Sequence, residues 1–153
     1  TVGPRQTGQY GMVVPRFVRQ ALHGEPITVY GDGSQSRCFC NVSDVVRALV
    51  GLMESSKAVG EIFNVGSTHE ITILDLAREI LAQVEPGSDP DDRIIFVPYA
   101  EAYQPGFEDM QRRVPDTRKI QETLGWQPEI TLRETLQQVL AYYTGEDDDR
   151  PAS

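Results

Sequence analysis

Residues 27–44 read ITVYGDGSQSRCFCNVSD, and this stretch decides how the chain is understood. Thr28, Val29 and Tyr30 are β-branched or aromatic, the kinds of residue that suit a half-buried pleated strand. The run stops at Gly31-Asp32-Gly33, turn chemistry in which glycine supplies positive φ. A second extended segment is predicted over 36–42, carrying one cation, Arg37, just past the turn. A guanidinium at the mouth of a strand–turn–strand unit, beside the Tyr30 ring, suits a stacked base and a phosphate, because arginine's planar fork matches phosphate oxygens in bidentate fashion. The plainer alternative is an ordinary turn with Arg37 as a solvated surface charge.

Upstream, Val14, Phe17, Val18, Ala21 and Leu22 recur at three- and four-residue intervals, which predicts one buried helical face over 12–23. Pro15 fits only a first turn, and Gly24 stops the helix. Downstream, residues 45–53 are apolar on nearly every side, so that helix is expected between layers, with Asp44 at its start as a cap. IFNV within 61–67 is expected to be a short strand closed by Gly66. Thr72 caps an amphipathic helix over 73–84, a polar loop fills 86–92, and 94–97 is another strand. Residues 99–110 form an irregular segment long enough to be a functional loop. Asp116 or Thr117 caps a helix that Gly125 ends, and Thr131 with Glu134 makes a capping box for a last helix over 132–144. The tail 146–153, EDDDRPAS, lacks apolar anchors and is expected to be disordered.

Strands alternate with helices, so the predicted class is α/β, a small sheet with several covering helices, in one domain over 1–145. With 153 residues, 39% hydrophobic and 24% charged, the chain has the composition of a globular domain with its own core. A net charge of −9 argues against nucleic acid, and no apolar run approaches a membrane span. Cys38 and Cys40 face one side of a strand without further Cys or His ligands, so they read as reduced packing residues in a cytoplasmic protein and not as a metal site. His23 and His69 stand far apart, with no partner that would make either a general base.

The order of the pieces carries a resemblance. GPRQTGQYGMVVPRFVRQALHGEPITVYGDGSQSRCFCNVSDVVRALVGLM, then FNVGS (63–67), RRVPDTRKI (112–120) and LGWQP (124–128), closely resembles the extended short-chain dehydrogenase/reductase family of NAD-dependent nucleotide-sugar epimerases, dehydratases and decarboxylases. That family opens with a glycine-rich dinucleotide turn and later supplies a catalytic Tyr-x-x-x-Lys pair. Neither is found here: Gly8-Gln9-Tyr10-Gly11 has no preceding strand, and Tyr142 and Tyr143 have no lysine four positions on. The chain therefore looks like the carboxy-terminal, substrate-binding part of an extended Rossmann-type enzyme, without its Rossmann domain and without catalytic residues of its own.

The resemblance implies a nucleotide diphosphate sugar, UDP- or dTDP-linked, as ligand, and NAD as cofactor of the full-length enzyme but not of this chain alone. It places Val13 and Phe17 as apolar walls beside the base, with Val29 and Tyr30 next to them. Arg37 and an arginine just before Pro115-Asp116, Arg113 or else Arg112, reach the diphosphate; core packing for Phe17 and solvation for the arginines are the alternatives. Thr1 and Thr7 fall at the nicotinamide edge, or on a frayed terminus. Met12, Cys38 and Asn41 depart from residues frequent in relatives, Met12 from the basic residue usual in the UDP-glucuronate decarboxylase branch. A rival from another class is a free-standing binding or interaction module. The apolar 45–53 helix and the 62–65 strand both need neighbours, so the chain alone is expected to self-associate or to be marginally stable.

Overall fold

The turn at Gly31 and Gly33 does adopt positive φ, 66° and 72°, but it does not fold one strand back onto the other. In the computed structural model, which describes residues 1–6, 12–98 and 110–145, the order is α1 (Val13–Leu22), β1 (Ile27–Tyr30), β2 (Ser36–Cys38), α2 (Val42–Glu54), β3 (Glu70–Thr72), α3 (Ile73–Val84), β4 (Ile94–Val97), α4 (Arg118–Leu124) and α5 (Leu132–Thr144). β1 pairs in parallel with β4, Ile27 opposite Ile94. β2 pairs antiparallel with β3, Arg37 opposite Ile71. The α/β class holds, with the β structure divided between two two-stranded sheets that diverge at the turn. Thr7, most of the 99–110 loop and the 146–153 tail lie outside the described residues.

The larger core lies where α1, α3 and α5 meet over β1. Phe17, Val18, Ile27, Val29, Leu76, Ile80, Leu136 and Val139 are all at or below 1% exposure there. Full burial of each such side chain contributes roughly 1.5–3 kcal/mol. Several helix ends fall where the sequence puts them. Thr72 accepts from the Asp75 amide, Thr131 and Glu134 form the reciprocal capping box, and Gly125 and Gly145 sit at φ 67° and 81° as left-handed C-caps.

Three expectations are corrected. Residues 61–66 form no strand, since a strand exists only through a ladder and none of the described residues offers this segment one. Asn41, not Asp44, caps α2: its side chain accepts from the Ser43 amide and donates to Thr135 and Gln138 of α5. And α2 is not covered all round. Val46, Leu49 and Val50 are about half exposed and Met53 is 86% exposed, while Ala48 packs with Cys40, Ile120 and Trp126 in a second, smaller core.

Asp44, released from capping, ties the second core together. Its buried carboxylate accepts from the Glu129 and Ile130 amides at 3.1 and 3.0 Å and from Arg47 at 2.8 Å, while its carbonyl accepts from the Trp126 indole. Burial pushes the carboxyl up, but these donors outweigh it and hold the group below its ordinary 3.8. A depressed folded-state pKa gives stability that is present above the unfolded value and is lost as pH falls through the folded one. Asp44→Ala should therefore cost about 1–3 kcal/mol at pH 7, as two part-buried amides lose their acceptor. In urea unfolding followed against pH, the gap between wild type and variant should close below about pH 4; a gap that does not change with pH counts against this role.

Candidate functional site

The segment after the turn is held by a helix. The Ile73 and Leu74 amides, at the N-terminus of α3, donate to the carbonyls of Gln35 and Gly33 at 3.0 and 3.1 Å, and the Asp75 amide donates to Thr72. Asp32 accepts from the Ser34 amide and hydroxyl, and the buried Gln35 donates to the Tyr30 carbonyl. The leading donors that a helix otherwise leaves unsatisfied are consumed by the turn. The N-terminus of α3 thus offers no cradle for a dinucleotide pyrophosphate.

Beyond the turn, β2 gathers the cations. Ser36 donates its amide to the Gln111 carbonyl at 2.8 Å and forms a parallel bridge with Arg112, so residues 110–113 lie along the edge of β2 opposite β3. Arg37 Nη1 donates to the Met110 carbonyl at 2.7 Å. Arg112 lies over Glu70, with Nε at 3.2 and 2.9 Å from the two carboxylate oxygens and Nη2 at 2.6 Å, and Ser36 Oγ donates to the same carboxylate. Hydrogen bonds from Arg112 and then Ser36 keep the Glu70 carboxyl below its ordinary range. Arg113 is exposed and makes no ion pair among the described residues. Arg112, 75 residues from Arg37 in sequence, is thus brought to the strand that carries Arg37.

The remaining candidates fall elsewhere. Tyr30 lies under the Arg16 guanidinium, 4.1 Å from its ring centroid, and Arg16 also donates to the Thr28 carbonyl. Phe17 and Val29 are fully buried, so their side chains are core and can serve a ligand only as the floor beneath it. Val13 is half-buried against the same core. Thr1 is exposed beside the Val2–Asn41 bridge, by the start of α2. Cys38 and Cys40 are free thiols, both pushed up chiefly by burial, and the described residues contain no metal-binding cluster. Sequence reasoning missed Arg16 and Glu70. It also missed a cavity of about 510 Å³ between β3 and the start of α5, lined by Phe39, His69, Ile71, Glu79, Leu132 and Arg133 among others. Glu70 was within reach, since it stands two residues before the Thr72 cap; Arg16 left no signal.

The GDP-mannose 4,6 dehydratase family model matches residues 1–139. The chain belongs to this family. It is 37% identical to the UDP-N-acetyl-alpha-D-glucosaminuronate decarboxylase of Bacillus cytotoxicus over 96% of the chain and 44% of that protein. It is 44% identical to UDP-glucuronic acid decarboxylase 4 of Arabidopsis thaliana over 89% of the chain and 28% of that protein. The structure of a UDP-glucuronic acid 4-epimerase from Bacillus cereus, in complex with UDP-glucuronic acid and NAD, superposes with a TM-score of 0.78 at 28% identity over 94% of the chain and 42% of its own. The chain therefore spans less than half the length of these relatives.

The turn that leads into β2 is packed without slack. A Cβ at Gly33 would meet Val29 Cγ1 at 2.7 Å and Leu74 Cβ at 2.9 Å, at φ +72°. Gly33→Ala should lower unfolding stability by about 2–4 kcal/mol, backbone strain and overpacking together. A urea midpoint equal to wild type would show that α3 does not fix the turn.

Proposed function

We propose that this chain is the nucleotide-sugar-binding part of a longer NAD-dependent epimerase, dehydratase or decarboxylase, and that Arg37 and Arg113 grip the diphosphate. The observation that carries this is the edge pairing of residues 110–113 with β2, which sets arginines beside one another in a chain of net charge −9. The guanidinium fork is suited to phosphate oxygens. The UDP-linked uronic acids for which these relatives are named support the same reading. Tyr30 and Val13 line the base, with the ring already backed by Arg16.

NAD belongs to the part of the longer protein that this chain does not span, as the occupied N-terminus of α3 suggests. That part would also cover the bare face of α2 and residues 59–62, where Val59 and Ile62 are 81% and 86% exposed; without it, the same apolar surface favours self-association. The protonated thiols of Cys38 and Cys40 suit a reducing, cytoplasmic setting.

Two outcomes are expected. Alone, the chain gives no NADH and no sugar conversion from UDP-glucuronic acid with NAD; turnover that is lost on heat denaturation would overturn this. In calorimetric titration, Arg37→Ala and Arg113→Ala each weaken UDP by about 1.5–3 kcal/mol, the range for charge-assisted hydrogen bonds, and leave uridine unaffected. Wild-type affinity in both variants would reduce these arginines to surface charges.

A further inference from the structure

A carboxylate is paired with one arginine of the group, on the face of the β2–β3 pair that Ser36 and Cys38 share. Glu70 takes both oxygens to Arg112 and one also to Ser36. The pair is exposed, 69% for the Arg112 side chain and 32% for Glu70, and surface ion pairs of this kind contribute little to overall stability. Its place in the fold is more informative than its strength. Glu70 belongs to β3, Ser36 to β2, and Arg112 to the segment that enters from residues 99–109, so one carboxylate joins three separate stretches of chain.

We infer that Glu70 and Arg112 form a clamp that fixes residues 110–113 on the edge of β2, making Arg112 a positioning residue and leaving Arg113 with Arg37 as the phosphate ligands. The pleat supports this division. Cys38 is opposite Glu70 and Ser36 opposite Thr72, so Ser36, Cys38, Glu70 and Arg112 share one face of the β2–β3 pair, while Arg37 and Ile71 take the other. One residue beyond Arg112, the alternation of an extended chain would put Arg113 on the face of Arg37. The Gln111 carbonyl bonded to Ser36 and the Met110 carbonyl bonded to Arg37 hold the segment from the main-chain side. The inference rests on the nucleotide-diphosphate reading above and divides the labour among its arginines.

The sign of one substitution tests it. If Glu70 were a bystander, or held Arg112 in reserve as a third ligand, Glu70→Gln would remove a negative charge from the neighbourhood of the site and leave UDP binding unchanged or tighter. If Glu70 is half of a clamp, the same change loosens the 110–113 segment. UDP then weakens about tenfold, uridine is unaffected, and Arg112→Ala in the Glu70→Gln background adds little more, because the two residues act as one unit. Arg112→Lys should behave like Arg112→Ala, since lysine keeps the charge and loses the fork; retention of UDP affinity by the lysine variant would make Arg112 a direct ligand and overturn the inference. A second readout needs no ligand. The Ser36 amide, bonded to Gln111, should exchange its hydrogen about tenfold faster in Glu70→Gln, measured by NMR on the whole chain, with exchange in the α3 core unchanged as the control for folding. Tighter or unchanged UDP binding overturns the clamp. If wild type binds no UDP, the functional reading falls on its own and the Ser36 exchange rate decides the clamp: equal rates in variant and wild type overturn it.

Discussion

The N-terminus of α3 donates its first amides to the backbone carbonyls of the Gly33–Gln35 segment, and much of the molecule depends on that contact. These donors usually find a side chain, a water or a ligand. Here they find another part of the chain, and the direction in which β2 leaves β1 is fixed by it. Because Gly33 comes within van der Waals contact of Val29 and Leu74, the turn, the first strand and the helix form one packed unit. Everything that lies along β2, including β3 on one side and residues 111–112 on the other, inherits its position from that unit.

Acidic composition and a basic site coexist because charge is arranged locally. The net charge of −9 is a property of the whole chain, and it falls off within about a Debye length, ~8 Å at physiological ionic strength. Some carboxylates are spent against nearby cations. Asp91 and Asp75 engage Arg78, Asp116 engages Arg118, and Glu61 engages Lys119. Among the described residues, Glu70 is the carboxylate that pairs with the arginine group at β2.

Much of the helical structure was legible in the sequence, because helix signals are local. The three- and four-residue apolar spacing of α1 and α3, the Thr72 cap and the Thr131–Glu134 box each act within one or two turns. Strands were legible only where length and β-branching sufficed, as in β1 and β4. β3 is three residues, Glu-Ile-Thr, and becomes a strand solely by meeting β2; residues 61–66 have comparable composition and meet no partner among the described residues. The α2 helix was misjudged for the same reason, since an all-round apolar sequence states a need for cover and cannot state whether the chain itself supplies it. At the site, the meeting of Arg37 with Arg112 and Arg113 followed from a family resemblance and not from spacing. Arg16 and Glu70 were invisible because their partners, Tyr30 and Arg112, are brought to them by tertiary packing alone.

The edge of β1 that faces away from β4 is closed by side chains. Gln20 brackets Thr28 through its amide and hydroxyl, Arg16 takes the Thr28 carbonyl and Gln35 the Tyr30 carbonyl. Polar groups that would otherwise recruit a further strand are thereby satisfied in place. Among the described residues the parallel sheet is thus closed on its β1 side by side chains of α1 and of the turn, and its other edge is β4, where Ile95 and Phe96 are half exposed.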